Sequence, residues 1–98
     1  MNKIVIVAKL KVKKEFFDEV YKELIKLHTN THKYDEGCIQ YDLHEDIEDK
    51  YSFTFIETWE NEESLSKHEK KEHFITFVGS VENKLESLTI DKLSKLDI

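Results

Sequence analysis

The chain has 98 residues and a formal net charge of −6, from 15 basic and 21 acidic side chains. That length supports one domain, residues 1–98, around a single core, and a composition that is 39% hydrophobic, 37% charged and 11% aromatic excludes a disordered or fibrous chain. Every basic residue is a lysine, and the most basic run, "KLKVKKE" from Lys9 to Glu15, alternates with apolar residues; no basic stripe for nucleic acid is present.

The single cysteine, Cys38, excludes an internal disulfide framework. The N-terminal "IVIVAKL" is too short for a membrane span and lacks the basic region and cleavage site of a signal peptide. The expectation is a cytoplasmic chain with no membrane partner. With no proline and only Gly37 and Gly79, no long flexible linker is encoded.

"NKIVIVAKLKV" reads as the first strand. Ile4, Ile6, Ala8, Leu10 and Val12 share one face; Val5, Val7, Lys9 and Lys11 share the other. Its first half is apolar on both faces, as in a central strand. "KEFFDEVYKELIKLHTNTHKYDEG" reads as a long helix, since steps of 100° gather Phe16, Phe17, Val20, Leu24, Leu27 and Thr31 into one stripe. Gly37 stops it.

"GCIQYDLHED" alternates as a second strand, with Ile39, Tyr41 and Leu43 on one face and Cys38, Gln40, Asp42 and His44 on the other. "DIEDK" is turn-like. "YSFTFIETW" is a third strand rich in aromatic and β-branched residues, so strands two and three form a hairpin. Tyr51, Phe53, Phe55, Glu57 and Trp59 lie on one face of it.

"NEESLSKHEK" predicts a short helix capped by Asn61, with Glu62 and Glu63 at the end where the dipole favours negative charge. A second helical piece, "EHFITFVGSVENK", has Phe74, Phe77, Val78 and Val81 as its stripe and His73 at the edge. "ESLTIDKL" is the last strand. The order β-α-β-β-α-β is that of a ferredoxin-like α+β fold: a four-stranded antiparallel sheet with its helices on one face. The other face would carry Val5, Val7, Cys38, Ile56 and Thr58, which predicts a second subunit against it.

Several side chains have both a structural and a chemical reading. Trp59 is either core or the wall of a pocket for a flat aromatic ligand. Glu57, on the same apolar face, is either paired or an acid–base group of raised pKa. His68 follows Leu65 by three residues and faces inward, either as a hydrogen-bonded junction residue or as a general base. His73 either opens the second helical piece or joins the chemistry. His44 reads as hairpin structure. His28 and His32 are four apart, a metal-compatible spacing, but no further ligand is placed by sequence; His68 and His73 are five apart and off-face. No metal site is expected, and His32 is left to reach a pocket. Cys38 reads as packing.

The stretch "DEGCIQYDLHEDIEDKYSFTFIETWENEESLSKHEKKEHFITF" resembles the antibiotic biosynthesis monooxygenase family. Gly37, Cys38, Tyr41, Leu43, His44, Asp46, Phe53, Glu57, Trp59, His68, His73 and Phe74 match its pattern. The resemblance implies a homodimeric α+β barrel with two sheets face to face, and in each subunit a pocket between sheet and helices. The family includes cofactor-free oxygenases of quinols and anthrones, haem-degrading enzymes and an isomerase of a phosphorylated sugar. Haem-degrading members carry asparagine, tryptophan and histidine at positions that align with Ala8, His68 and Val78 here, so haem degradation is not expected. Many relatives have arginine where this chain has Gln40 and Thr58, which weakens the phosphosugar reading. The resulting expectation is a cofactor-independent monooxygenase of a phenolic or hydroquinone substrate. Its catalytic candidates are His68, His73 and Glu57; Trp59, Phe55, Phe74, Phe77 and His32 would contact the small aromatic substrate. The alternatives are a non-catalytic ligand-binding dimer and an isomerase of a small hydroxyketone.

Overall fold

The computed structural model describes residues 2–98. The chain runs β1 (Ile4–Val12), a 3-10 turn (Lys14–Phe16), α1 (Phe17–Tyr34), β2 (Cys38–Glu45), β3 (Ser52–Trp59), α2 (Glu62–Glu69), α3 (Glu72–Ser80) and β4 (Leu85–Ser94). The four strands form one antiparallel sheet in the order β2-β3-β1-β4, the ferredoxin-like α+β arrangement. β1 is internal, as its two apolar faces predict. No helix among the described residues is long and apolar enough to cross a membrane.

The core forms where the inner face of the sheet meets the stripe of α1. Ile4, Ile6, Ala8, Leu10 and Val12 from β1 and Phe53, Phe55 and Trp59 from β3 are buried against Val20, Leu24 and Leu27. Each of these side chains larger than Ala8 contributes about 1.5–3 kcal/mol by leaving water. Phe16 and Phe17 are only partly buried, because the chain enters α1 through the 3-10 turn. On the outer face, Val5, Val7, Ile56 and Thr58 are half-buried within the single chain.

Three local readings are corrected. The register of β2 slips between Cys38 and Gln40, so Cys38 stands opposite Trp59 and packs against the core. Ile39 is exposed instead; a bulge adds one residue to a strand and upsets strict alternation. The last helix stops at Ser80, short of Lys84, because Asn83 takes a left-handed φ of 64° and turns the chain toward β4. Val78 is exposed and leaves the stripe to Phe74, Phe77 and Val81.

Candidate functional site

Two chain reversals assemble the site. α1 ends at Tyr34, and Asp35 turns to extended backbone while its N–H still reaches the Thr31 carbonyl at 3.1 Å. Gly37 follows with φ +73°. A Cβ there would run into the Ser64 side chain, so glycine is needed both for the left-handed turn and for the close approach of α2. This approach sets the carboxylate of Asp35 under α2.

α2 starts where Asn61 accepts a 2.9 Å bond from the Ser64 N–H. Its inward residues are Leu65 and His68. The helix breaks at Lys70 and Lys71, and α3 restarts at Glu72. The break re-aims His73 toward His68, which an unbroken helix with five-residue spacing would not do. The two histidines converge on Asp35. Its Oδ2 accepts from His68 Nδ1, and its Oδ1 lies 2.6 Å from His73 Nε2. The side chains of Asp35, His68 and His73 are 1%, 2% and 11% exposed, respectively.

A buried carboxylate needs a counter-charge or donors, and the two imidazoles supply them. The cluster is not fully satisfied. Asp35 Oδ1, His68 Nε2 and His73 Nε2 are buried with no aligned hydrogen-bond partner, the kind of buried polar group that calls for a functional explanation. Burial holds the His68 pKa below its usual range, and the Asp35 contact opposes that shift. Burial thus keeps the ring neutral, and the bond to Asp35 fixes its proton on Nδ1 and leaves Nε2 unprotonated. The three residues also place one donor atom each within 4.8 Å of one another. Two imidazoles and a carboxylate could ligate a transition metal, which corrects the expectation that His68 and His73 are off-face from each other.

Around His68 the packing is aromatic. The Trp59 ring lies 4.6 Å away, Phe74 4.8 Å and Tyr41 5.4 Å. Trp59 donates its indole N–H to Glu57 Oε1 at 3.0 Å. Burial pushes the Glu57 carboxyl up to about 7, against the opposing effect of that hydrogen bond. Burial likewise raises the Tyr41 phenol, and it raises the Cys38 thiol to about 11, so Cys38 is not a reactive thiolate.

The sequence-predicted residues thus separate. His68, His73, Trp59 and Phe74 come together, and Glu57 joins them through Trp59. Phe55 and Trp59 are core, 2% and 0% exposed. His32 stays on the exposed side of α1, where its Nε2–H donates to the Tyr41 carbonyl at 2.7 Å, and its ring lies 4.4 Å from His28. His44 is exposed and caps the Thr54 carbonyl at 3.1 Å. A cavity of about 420 Å³ opens between α1 and α3, with His73 and Phe77 in its wall; Trp59 and Phe55 are not among its lining residues. Asp35 was the residue that sequence reasoning missed. Its signal was a carboxylate just before the glycine that ends α1, in a chain with two inward histidines on the facing helices.

The family model described as "Antibiotic biosynthesis monooxygenase" matches residues 3–80. The chain belongs to the antibiotic biosynthesis monooxygenase family. Within that family it is 34% identical over 76 residues to "Putative monooxygenase YcnE" of Bacillus subtilis (strain 168), covering 78% of this chain and 79% of that one. Among solved structures, PA3566 from Pseudomonas aeruginosa superposes with a TM-score of 0.89 at 30% identity, over 98% of this chain and 96% of that one. A conserved protein from Methanosarcina mazei Go1 gives 0.89 at 31% identity, over 98% and 95%. The family match stops at Ser80, so it covers the whole Asp35–His68–His73 cluster and leaves out β4.

Proposed function

We propose that this chain is a cofactor-independent monooxygenase that oxidises a phenolic or hydroquinone substrate with dioxygen. The observation that carries the reading is the buried carboxylate of Asp35 shared by His68 and His73. A phenol becomes a good electron donor once it loses its proton. A histidine can take that proton near neutral pH, and a carboxylate behind it stabilises the resulting imidazolium. The phenolate then gives one electron to dioxygen, and the radical pair recombines at a ring carbon. Loss of water leaves a quinone from a phenol and a hydroxylated quinone from a hydroquinone, so one oxygen atom enters the substrate and the other departs as water. The electrons all come from the substrate.

The test is oxygen uptake against a panel of hydroquinones, with isotopically labelled dioxygen and mass analysis of the product. One labelled atom per product and a rate well above the protein-free control are expected. No protein-dependent uptake with any hydroquinone would sink the reading and leave ligand binding as the better one.

The active form is proposed to be a homodimer. Val5, Val7, Ile56 and Thr58 are only partly covered on the outer face, and Leu93 beside them on β4 is 50% exposed. A second copy laid across that face removes this apolar area from water. Light scattering at micromolar concentration is expected to give twice the chain mass, and a single-chain mass would refute the dimer.

A further inference from the structure

We propose that the cavity between α1 and α3 is the binding site for a small phenolic ligand, with the ligand hydroxyl against His73. The ligand class rests on the monooxygenase reading above; the place rests on geometry.

The size is suitable. About 420 Å³ falls in the range of small-molecule sites and accommodates one or two fused rings. Of the three clustered residues, only His73 lines it. Asp35 and His68 lie behind, at 1% and 2% exposure against 11% for His73. His73 is therefore the point where the buried cluster meets a ligand.

The walls suit an aromatic alcohol. Tyr34 and Phe77 give two rings and Leu27 an apolar floor; the Tyr34 ring already lies 6.3 Å from His73. The rim is mixed in charge: Lys26 and Lys71 line it together with Glu23 and Glu72, and Lys26 is paired with Glu23 at 3.4 Å. Lys71 lines the cavity and precedes α3, which has no side-chain cap at that position. The positive end of a helix favours an anion, and Lys71 offsets the charge of Glu72 beside it in the wall.

The proton of the phenol passes to His73, and the Asp35 carboxylate stabilises the imidazolium across the 2.6 Å contact. His68 acts from the other side of Asp35 as a positioning residue, holding the carboxylate through Oδ2. Trp59 and Phe55, which the sequence suggested as pocket walls, support this arrangement from the core and do not contact the ligand.

The probe is 4-nitrophenol, whose visible band reports both binding and ionisation. Wild type is expected to bind it saturably and to lower the pH midpoint of the bound phenol. Thr76→Trp, from an exposed position in the cavity wall, should weaken binding at least about tenfold without changing the thermal melt; Asn30→Phe should do the same from α1. His73→Gln should return the midpoint to that of free nitrophenol. His68→Gln should shift the midpoint part of the way while leaving affinity for a non-ionising analogue, nitrobenzene, unchanged. Wild-type affinity in both cavity-filling variants, or no saturable binding to wild type, overturns the site. The two readings separate cleanly. Hydroquinone oxidation with unchanged KM in both cavity-filling variants refutes this site and keeps the monooxygenase. Nitrophenol binding as described, with no hydroquinone oxidised, confirms the site and removes the activity.

Discussion

The molecule contains two histidine pairs, and they differ in what stands between them. His28 and His32 sit one turn apart on α1, their rings 4.4 Å apart, over an exposed strand edge. His32 is occupied by a backbone carbonyl. His68 and His73 sit on two helices separated by a break, and a buried carboxylate from a third element joins them. The first pair has the spacing usually associated with a site and lacks the environment. The second has the environment and an unpromising spacing. A shared, desolvated counter-charge defines a reactive cluster better than sequence interval does, because only burial makes electrostatic contacts strong.

The largest expected effect comes from removing that counter-charge. Asp35→Asn should lower hydroquinone oxidation by about 10²–10³-fold, since an amide cannot stabilise an imidazolium. His32→Ala should leave the rate within about twofold and the melt nearly unchanged, as expected for an exposed side chain. Steady-state oxygen consumption, with melts to confirm folding, decides. Comparable losses in both variants would erase the distinction between the pairs.

A smaller effect tests how far the buried environment extends past the histidines. Glu57 lies on the same buried face and its carboxyl is raised to about 7. A carboxyl raised on folding binds its proton more tightly in the folded chain. Its stabilising contribution is complete below its ordinary value of 4.5, and is lost as pH rises through about 7. Glu57→Gln keeps an acceptor for the Trp59 indole and cannot ionise. The variant should gain on the order of 3 kcal/mol relative to wild type between pH 4.5 and pH 8. Urea melts at the two pH values measure it, and an unchanged difference would mean that Glu57 ionises in the folded protein as it does in the unfolded chain.

Much of this architecture is legible in the sequence because it follows from periodicity. The alternation in β1 and β3 and the stripe of α1 each report a buried face directly. The Asn61 cap and the Gly37 stop are equally local. The departures have non-local causes. The slip beside Cys38 reverses the facing of one residue where β2 meets the end of β3. Asp35 looks like an ordinary helix-end acid until α2 arrives over Gly37. His73 is re-aimed by a helix break at Lys70–Lys71, and the two lysines there have no feature that separates a break from a continued helix. The resemblance to the family placed His68 and His73 among the matched positions, but their meeting depends on a carboxylate 33 positions away from His68 in the chain.

The protein carries one tryptophan, and it lies against His68 at 4.6 Å with an interplanar angle of 37°. Protonated imidazole quenches indole emission, so Trp59 is an intrinsic optical reporter of the state of that ring. Its fluorescence follows protonation of the cluster under native conditions and loss of the core under denaturing ones. A denaturation curve recorded by Trp59 emission should therefore be laid over one recorded by circular dichroism. Coincident curves mean that the cluster and the sheet come apart as one cooperative unit. An earlier change in emission would mean that α2 lifts from the sheet first, opening the buried histidine to solvent while the fold remains in place.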